Sequence, residues 1–143
     1  MTQVSTENLY AQYKERMRRI ADVRYASAVL QWDQETYLPS KGASFRGQQI
    51  ASLSEIAHQQ FTDLNLGTLL EELSSRNNLN SFQKCNVERS RQDYLKQQKF
   101  STGFVRKLAE TTQKSFHSWI AARAQNNFKP FQDDLSNLIE LKK

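Results

Sequence analysis

Asp33 and Glu35 stand two positions apart, close enough to invite comparison with the carboxylate pairs that share acid and base work in glycoside hydrolysis. Such pairs flank a substrate and keep one member protonated. Two positions apart at a helix end, these two point in different directions, so a structural role is the better reading. Arg46 is the expected partner of one of them, with backbone donors at the start of the following helix as the alternative. Arg46 also has a second reading, as a side chain facing a groove. Trp32 and Tyr37 are expected to fill the core, with the Trp32 ring against Ile50, Leu53 or the helix of Trp119. His58 and His117 are the only histidines; they fall in different helical patterns without a second His or a Cys at ligand spacing, so packing outweighs zinc binding. Cys85 has no neighbour that would make a nucleophilic dyad and reads as a small hydrophobe in a sparse core.

A second chemistry to weigh is phosphate binding. Lys84, Arg89, Arg91, Lys96, Lys99, Arg106 and Lys107 crowd the middle of a chain with 20 basic and 15 acidic residues. Tyr94 and Phe100 interleave with them, the combination that single-stranded nucleic acid binders use. No helix-turn-helix or zinc-finger pattern accompanies them. A solvated helix face, or a surface that meets acids of another domain, is preferred; a stand-alone basic module binding nucleic acid or an acidic protein is the alternative.

These residues must be positioned by helices. With 143 residues the chain fits one domain, 1–143. Its 38% hydrophobic content and mean hydropathy of -0.75 call for long amphipathic helices with a wet face. Four glycines and two prolines leave little turn chemistry for strands, so the expected class is all-α with about six helices. The single cysteine and the lack of a leader pattern suggest a cytoplasmic address. No apolar run approaches the roughly 20 residues of a membrane span.

Leu9, Tyr13, Met17 and Ile20 open a long first helix, capped by Ser5 or Thr6, whose stripe is read as running through Val23, Ala26 and Leu30 to Trp32. Pro39, Lys41 and Gly42 break it, and a second helix from near Ala43 carries Ile50, Leu53, Ala57 and Phe61. Leu66, Leu69, Leu70 and Leu73 make a short third. Asn80 with Gln83 has the form of a capping box for a fourth, which from Ser81 to about Gln98 holds few apolar residues and is expected to project, paired antiparallel with the fifth. Val105, Leu108, Phe116, Trp119 and Ile120 mark that fifth helix, Asn126 and Asn127 stop it, and Leu135, Leu138 and Ile139 should face inward on a sixth.

The segment Leu30 to Pro39, with Trp32, Asp33, Gln34, Glu35, Thr36 and Tyr37 at its centre, resembles the LLxWDQETYMP signature of the Taq-type zinc carboxypeptidases. The likeness extends downstream in the right order: Arg46, Gln49, Leu53, Ser54, Ala57 and His58; Asp63, Leu66, Gly67, Leu69 and Leu70; Arg89, Arg91 and Tyr94; and Trp119, Ala122, Arg123, Asn126, Phe128 and Phe131. The departures are Asn65 where proline is usual, Ser40 where the family often has a second proline, and Asn127 where Asp is usual. The resemblance implies an N-terminal helical wall or lid over a peptide groove in a cytoplasmic homodimeric metallocarboxypeptidase. That family holds zinc, or another divalent metal, with a His-Glu-x-x-His helix and a further carboxylate. No such motif occurs in this sequence. The expectation is therefore a chain without its catalytic zinc domain, with no metal or catalytic residue of its own, inactive alone, whose signature residues are structural.

Overall fold

The computed structural model describes residues 4–143. Among them the chain forms α1 (Thr6–Thr36), a 3-10 turn (Ser40–Gly42), α2 (Ala43–Phe61), α3 (Leu64–Ser74), α4 (Ser81–Gln97), α5 (Thr102–Ala124) and α6 (Lys129–Leu141), and no strand. The all-α expectation holds, and among the described residues no helix is long and apolar enough to cross a membrane.

Local chemistry sets most boundaries. Helix starts leave backbone N–H groups without partners, and short polar side chains supply the acceptors. Ser5 accepts from the Asn8 amide at 3.2 Å, Ser101 from the Phe104 amide at 3.1 Å, and Asp63 from the Asn65 amide at 2.8 Å. The Asn80–Gln83 capping box is complete, each side chain meeting the other's backbone N–H at 2.9 Å. At the end of α5, Asn126 takes the left-handed conformation with φ 47°. The Asn127 amide then reaches back to the Ala122 carbonyl at 2.9 Å and the Asn126 amide to that of Arg123 at 3.2 Å, the Schellman pattern of hydrogen bonds.

The main core lies at one end. Leu9, Tyr13 and Ile20 of α1, Phe61 at the end of α2, four leucines of α3, Leu79, and Val87 and Tyr94 of α4 form one buried cluster. Full burial of an aliphatic side chain such as Leu66, Leu70 or Leu73 is worth about 1.5–3 kcal/mol. The Tyr13 hydroxyl bridges α1 to α4, lying 2.8 Å from Ser90 Oγ and donating to the Asn86 carbonyl at 3.2 Å. Burial pushes the Tyr13 phenol up in pKa, against the opposing Ser90 hydrogen bond. At the other end α2 lies between α1 and α5, and α6 packs on α5.

Several expectations need correction. The main neighbour of α4 is α3, not α5; its narrow stripe of Val87, Ser90 and Tyr94 seats it on the leucine-rich core. Cys85 is exposed rather than part of that stripe. On α6, Leu135 and Leu138 are half-buried and Ile139 is exposed, because α5 is the main neighbour of this helix, while Asp134 is the buried residue. Trp32 is 58% exposed and Tyr37 75% exposed, so neither fills the core. The step from Leu30 to Trp32 turns about 200° around a helix and carries Trp32 off the inner stripe.

Candidate functional site

The junction between the end of α1 and the start of α2 is where most signature residues meet. Arg46, one turn into α2, reaches back across the Pro39 break. Its Nη1 donates to the Leu30 carbonyl at 3.0 Å and to the Asp33 carboxylate, while its Nε donates to Gln49 Oε1 at 3.0 Å. The expected ion pair is thus with Asp33, and only 16% of the Arg46 side chain remains exposed. Charge-assisted hydrogen bonds of this kind are roughly twice as strong as neutral ones. Glu35 is exposed and faces elsewhere, so the two carboxylates are not a catalytic pair.

Gln34 points the other way from Trp32, into α5, where its amide donates to Gln113 Oε1. Gln34 Oε1 and His117 Nε2 are both buried and lack a hydrogen-bond partner among the described residues. Gln113 and His117 also line an open groove of about 420 Å³ between α2 and α5, floored by Ala43, Ser44 and Gly47. Thr36 bonds the Trp32 carbonyl at 2.8 Å, and Trp32 stacks edge-on with Tyr37 at 5.6 Å between ring centroids.

The remaining signature residues are dispersed. His58 is buried, and its Nε2 lies 3.0 Å from the Phe100 carbonyl, tying α2 to the turn before α5. Tyr94 packs on Gly67: a Cβ at that glycine would come within 2.6 Å of the ring carbon Cζ and 2.9 Å of Cε1. The Tyr94 hydroxyl accepts from Gln98 at 2.7 Å. Trp119 is stacked with Phe116 and carries the Arg123 guanidinium over its ring at 5.1 Å. These contacts hold helices together or cover helix surfaces; they do not converge on one point.

No group of three or more His, Cys, Asp or Glu among the described residues is arranged to hold a metal ion. His58 is committed to a backbone carbonyl and His117 sits beside Phe116. Among the described residues neither histidine stands beside further ligands of the kind zinc takes. In the basic stretch, Arg91 pairs with Glu71 at 2.8 Å, Arg106 with Glu55 at 2.7 Å and Glu110 at 3.0 Å, and Lys96 with Asp93 at 3.7 Å. Part of the positive charge is spent within the fold.

Asp134 and Asp63, neither weighed for its own chemistry in the sequence, carry shifted titrations, as does Glu15 beside Arg19 and Arg18. Asp134 is held below the ordinary carboxylate value chiefly by Lys114, whose Nζ is 3.0 Å away, against the effect of burial. At Asp63 burial is the largest single influence and acts upward, but the amides of Asn65 and Leu66 together with Arg16 outweigh it and hold the carboxyl low. Asp63 had a readable signal as a helix cap. Gly67, in the middle of a helix, had one too, since an interior glycine costs stability unless something needs the space.

Residues 12–143 match a protein family described as carboxypeptidase Taq (M32) metallopeptidase. The chain is 27% identical over 143 residues to "Thermostable carboxypeptidase 1" of Pyrococcus furiosus, covering all of this chain and 29% of that protein. Among solved structures, the M32 carboxypeptidase from Deinococcus radiodurans R1 is 32% identical with a TM-score of 0.72, over 94% of this chain and 27% of that one. A structure titled "BsuCP Crystal Structure" has a TM-score of 0.90 at 24% identity, again over 94% of this chain and 27% of that one, a likeness of fold. The chain thus spans less than a third of the length of the relatives it matches.

Proposed function

The chain belongs to the carboxypeptidase Taq (M32) metallopeptidase family, and from that membership we propose that it is the N-terminal helical part of a metallocarboxypeptidase. In the whole enzyme it would form a wall or lid over the groove in which a peptide loses its C-terminal residue. A zinc or another divalent ion would supply the activated water there. No ligand for it is assigned to this chain, and by itself the chain is proposed to be inactive and metal-free.

The observation that carries this reading is the pairing of a match over residues 12–143 with a span of only 29% of the relative's length. What the chain's own residues contribute is position. Arg46, Asp33 and the Leu30 carbonyl fix the angle at which α2 leaves α1; His58 fixes the entry to α5. An arginine that satisfies a carboxylate and a carbonyl together is a positioning residue, and the signature is read here as a hinge pin of the wall. The basic stretch is assigned to solvent and to acidic neighbours rather than to nucleic acid, with its internal ion pairs in support.

The test is the coding sequence that follows the codon for Lys143. An open frame that reaches a His-Glu-x-x-His helix and a downstream carboxylate is the expected result. A stop codon directly after Lys143 would overturn the proposal and leave a stand-alone helical protein.

A further inference from the structure

Toward its C-terminal end α1 carries apolar residues on the side away from the core. The inner side belongs to the fold: Leu9, Tyr13, Ile20 and Ser27 are buried along it. On the opposite side Tyr25 is 70% exposed, Val29 62% and Trp32 58%, with Tyr37 continuing the patch through its contact with Trp32. At about 100° per residue these three fall within a stripe roughly 60° wide. In a chain of mean hydropathy -0.75, a helix end with an ordered apolar stripe away from its own core is built to be covered. Tyr and Trp are the residue types that interface cores favour, because one ring removes much surface from water at little entropic cost.

We propose that this outer face of α1, Tyr25, Val29, Trp32 and Tyr37, is the seat of the chain segment that follows residue 143 in the parent carboxypeptidase. The inference rests on the reading given under the proposed function. The length of chain outside the structure favours that occupant: the relatives are more than three times as long as the part matched here. A segment of that size must bury surface against this one to share a single enzyme.

The experiment places Val29→Glu with Trp32→Glu in two proteins, the 143-residue chain and the longer chain read from the continuing frame. In the short chain both positions face water, so the melting temperature and helical content should not change. In the long chain the same pair should lower the melting temperature and speed limited proteolysis at the junction, because two carboxylates are then buried without partners. An unchanged long chain would overturn the proposal while leaving the family function intact. So would a short chain that loses its own stability, since the face would then belong to its internal packing. A parental short chain that sediments as a dimer and is made monomeric by the double substitution would overturn it in favour of a second copy. A frame that stops at Lys143 would remove both readings together.

Discussion

Arg46 holds Asp33 and the Leu30 carbonyl through one guanidinium nitrogen, and so sews the end of α1 to the start of α2 across the Pro39 break. Arg46→Ala leaves a half-buried carboxylate and a carbonyl without their donor, and should lower stability by about 1–3 kcal/mol. A double-mutant cycle with Asp33→Ala should show coupling between the two, measured by denaturant unfolding; additive losses would place the stabilisation elsewhere. Arg46→Lys should recover only part of the loss, because an ammonium cannot hold Asp33 and the Leu30 carbonyl while a second nitrogen donates to Gln49.

Gly67 is expected to tolerate no side chain while Tyr94 is present. The atoms that a Cβ would meet are the Tyr94 hydroxyl and the ring carbons Cζ and Cε1, on a side chain buried in the core. Gly67→Ala should therefore cost about 1–3 kcal/mol as overpacking. In a Tyr94→Ala background, where the ring is gone, the same substitution should be neutral or mildly stabilising, since alanine is the better helix former. Equal losses in both backgrounds would show that the space at Gly67 is not set by Tyr94.

Trp32→Ala, made in the 143-residue chain, should change its melting point little, as exposed substitutions usually shift stability by no more than about 0.5 kcal/mol. Leu70→Ala, in the buried cluster, should cost about 2–5 kcal/mol. Thermal melting of the two variants side by side decides it. A Trp32→Ala chain that melts as early as Leu70→Ala would mean the ring packs inward after all.

Acid should weaken the fold through Asp63 and Asp134. Both carboxyls titrate below their ordinary value of 3.8 in the folded chain. A group with a depressed folded pKa supplies stability that is complete above its unfolded value and is lost as the pH falls through the folded one. Stability should thus be level near neutrality and drop once the pH passes below 3.8. Asp63→Asn and Asp134→Asn should each lower the plateau and flatten that acid limb; an acid limb with the parental slope in both variants would assign it to other groups.

What could be read from the residues alone was whatever depends on a few neighbours in the chain. The Asn80–Gln83 box and the stop at Asn126 are short-range solutions to unpaired backbone groups and are visible in the residue types, as is an Arg46 pair with one of two nearby carboxylates, though not that the carboxylate is Asp33. The partner of α4 was not legible, because its narrow stripe of Val87, Ser90 and Tyr94 fits any apolar surface and only the leucines of α3 decide the match. Trp32 misled for a related reason. An aromatic in a conspicuous motif suggests a core, yet its place on the helix puts it on the far side, and composition carries no information about which side a longer chain would cover. Asp134 went unnoticed because its significance depends on Lys114 from the neighbouring helix.

The most direct check on the assignment of this chain as framework rather than catalyst is to purify the 143-residue protein and measure its zinc content and its release of C-terminal residues from peptides in one preparation. The expected result is no stoichiometric zinc and no release above background, with or without added metal, because no set of three ligands surrounds an open position among the described residues. One tightly held zinc per chain, or turnover that a chelator abolishes, would contradict it.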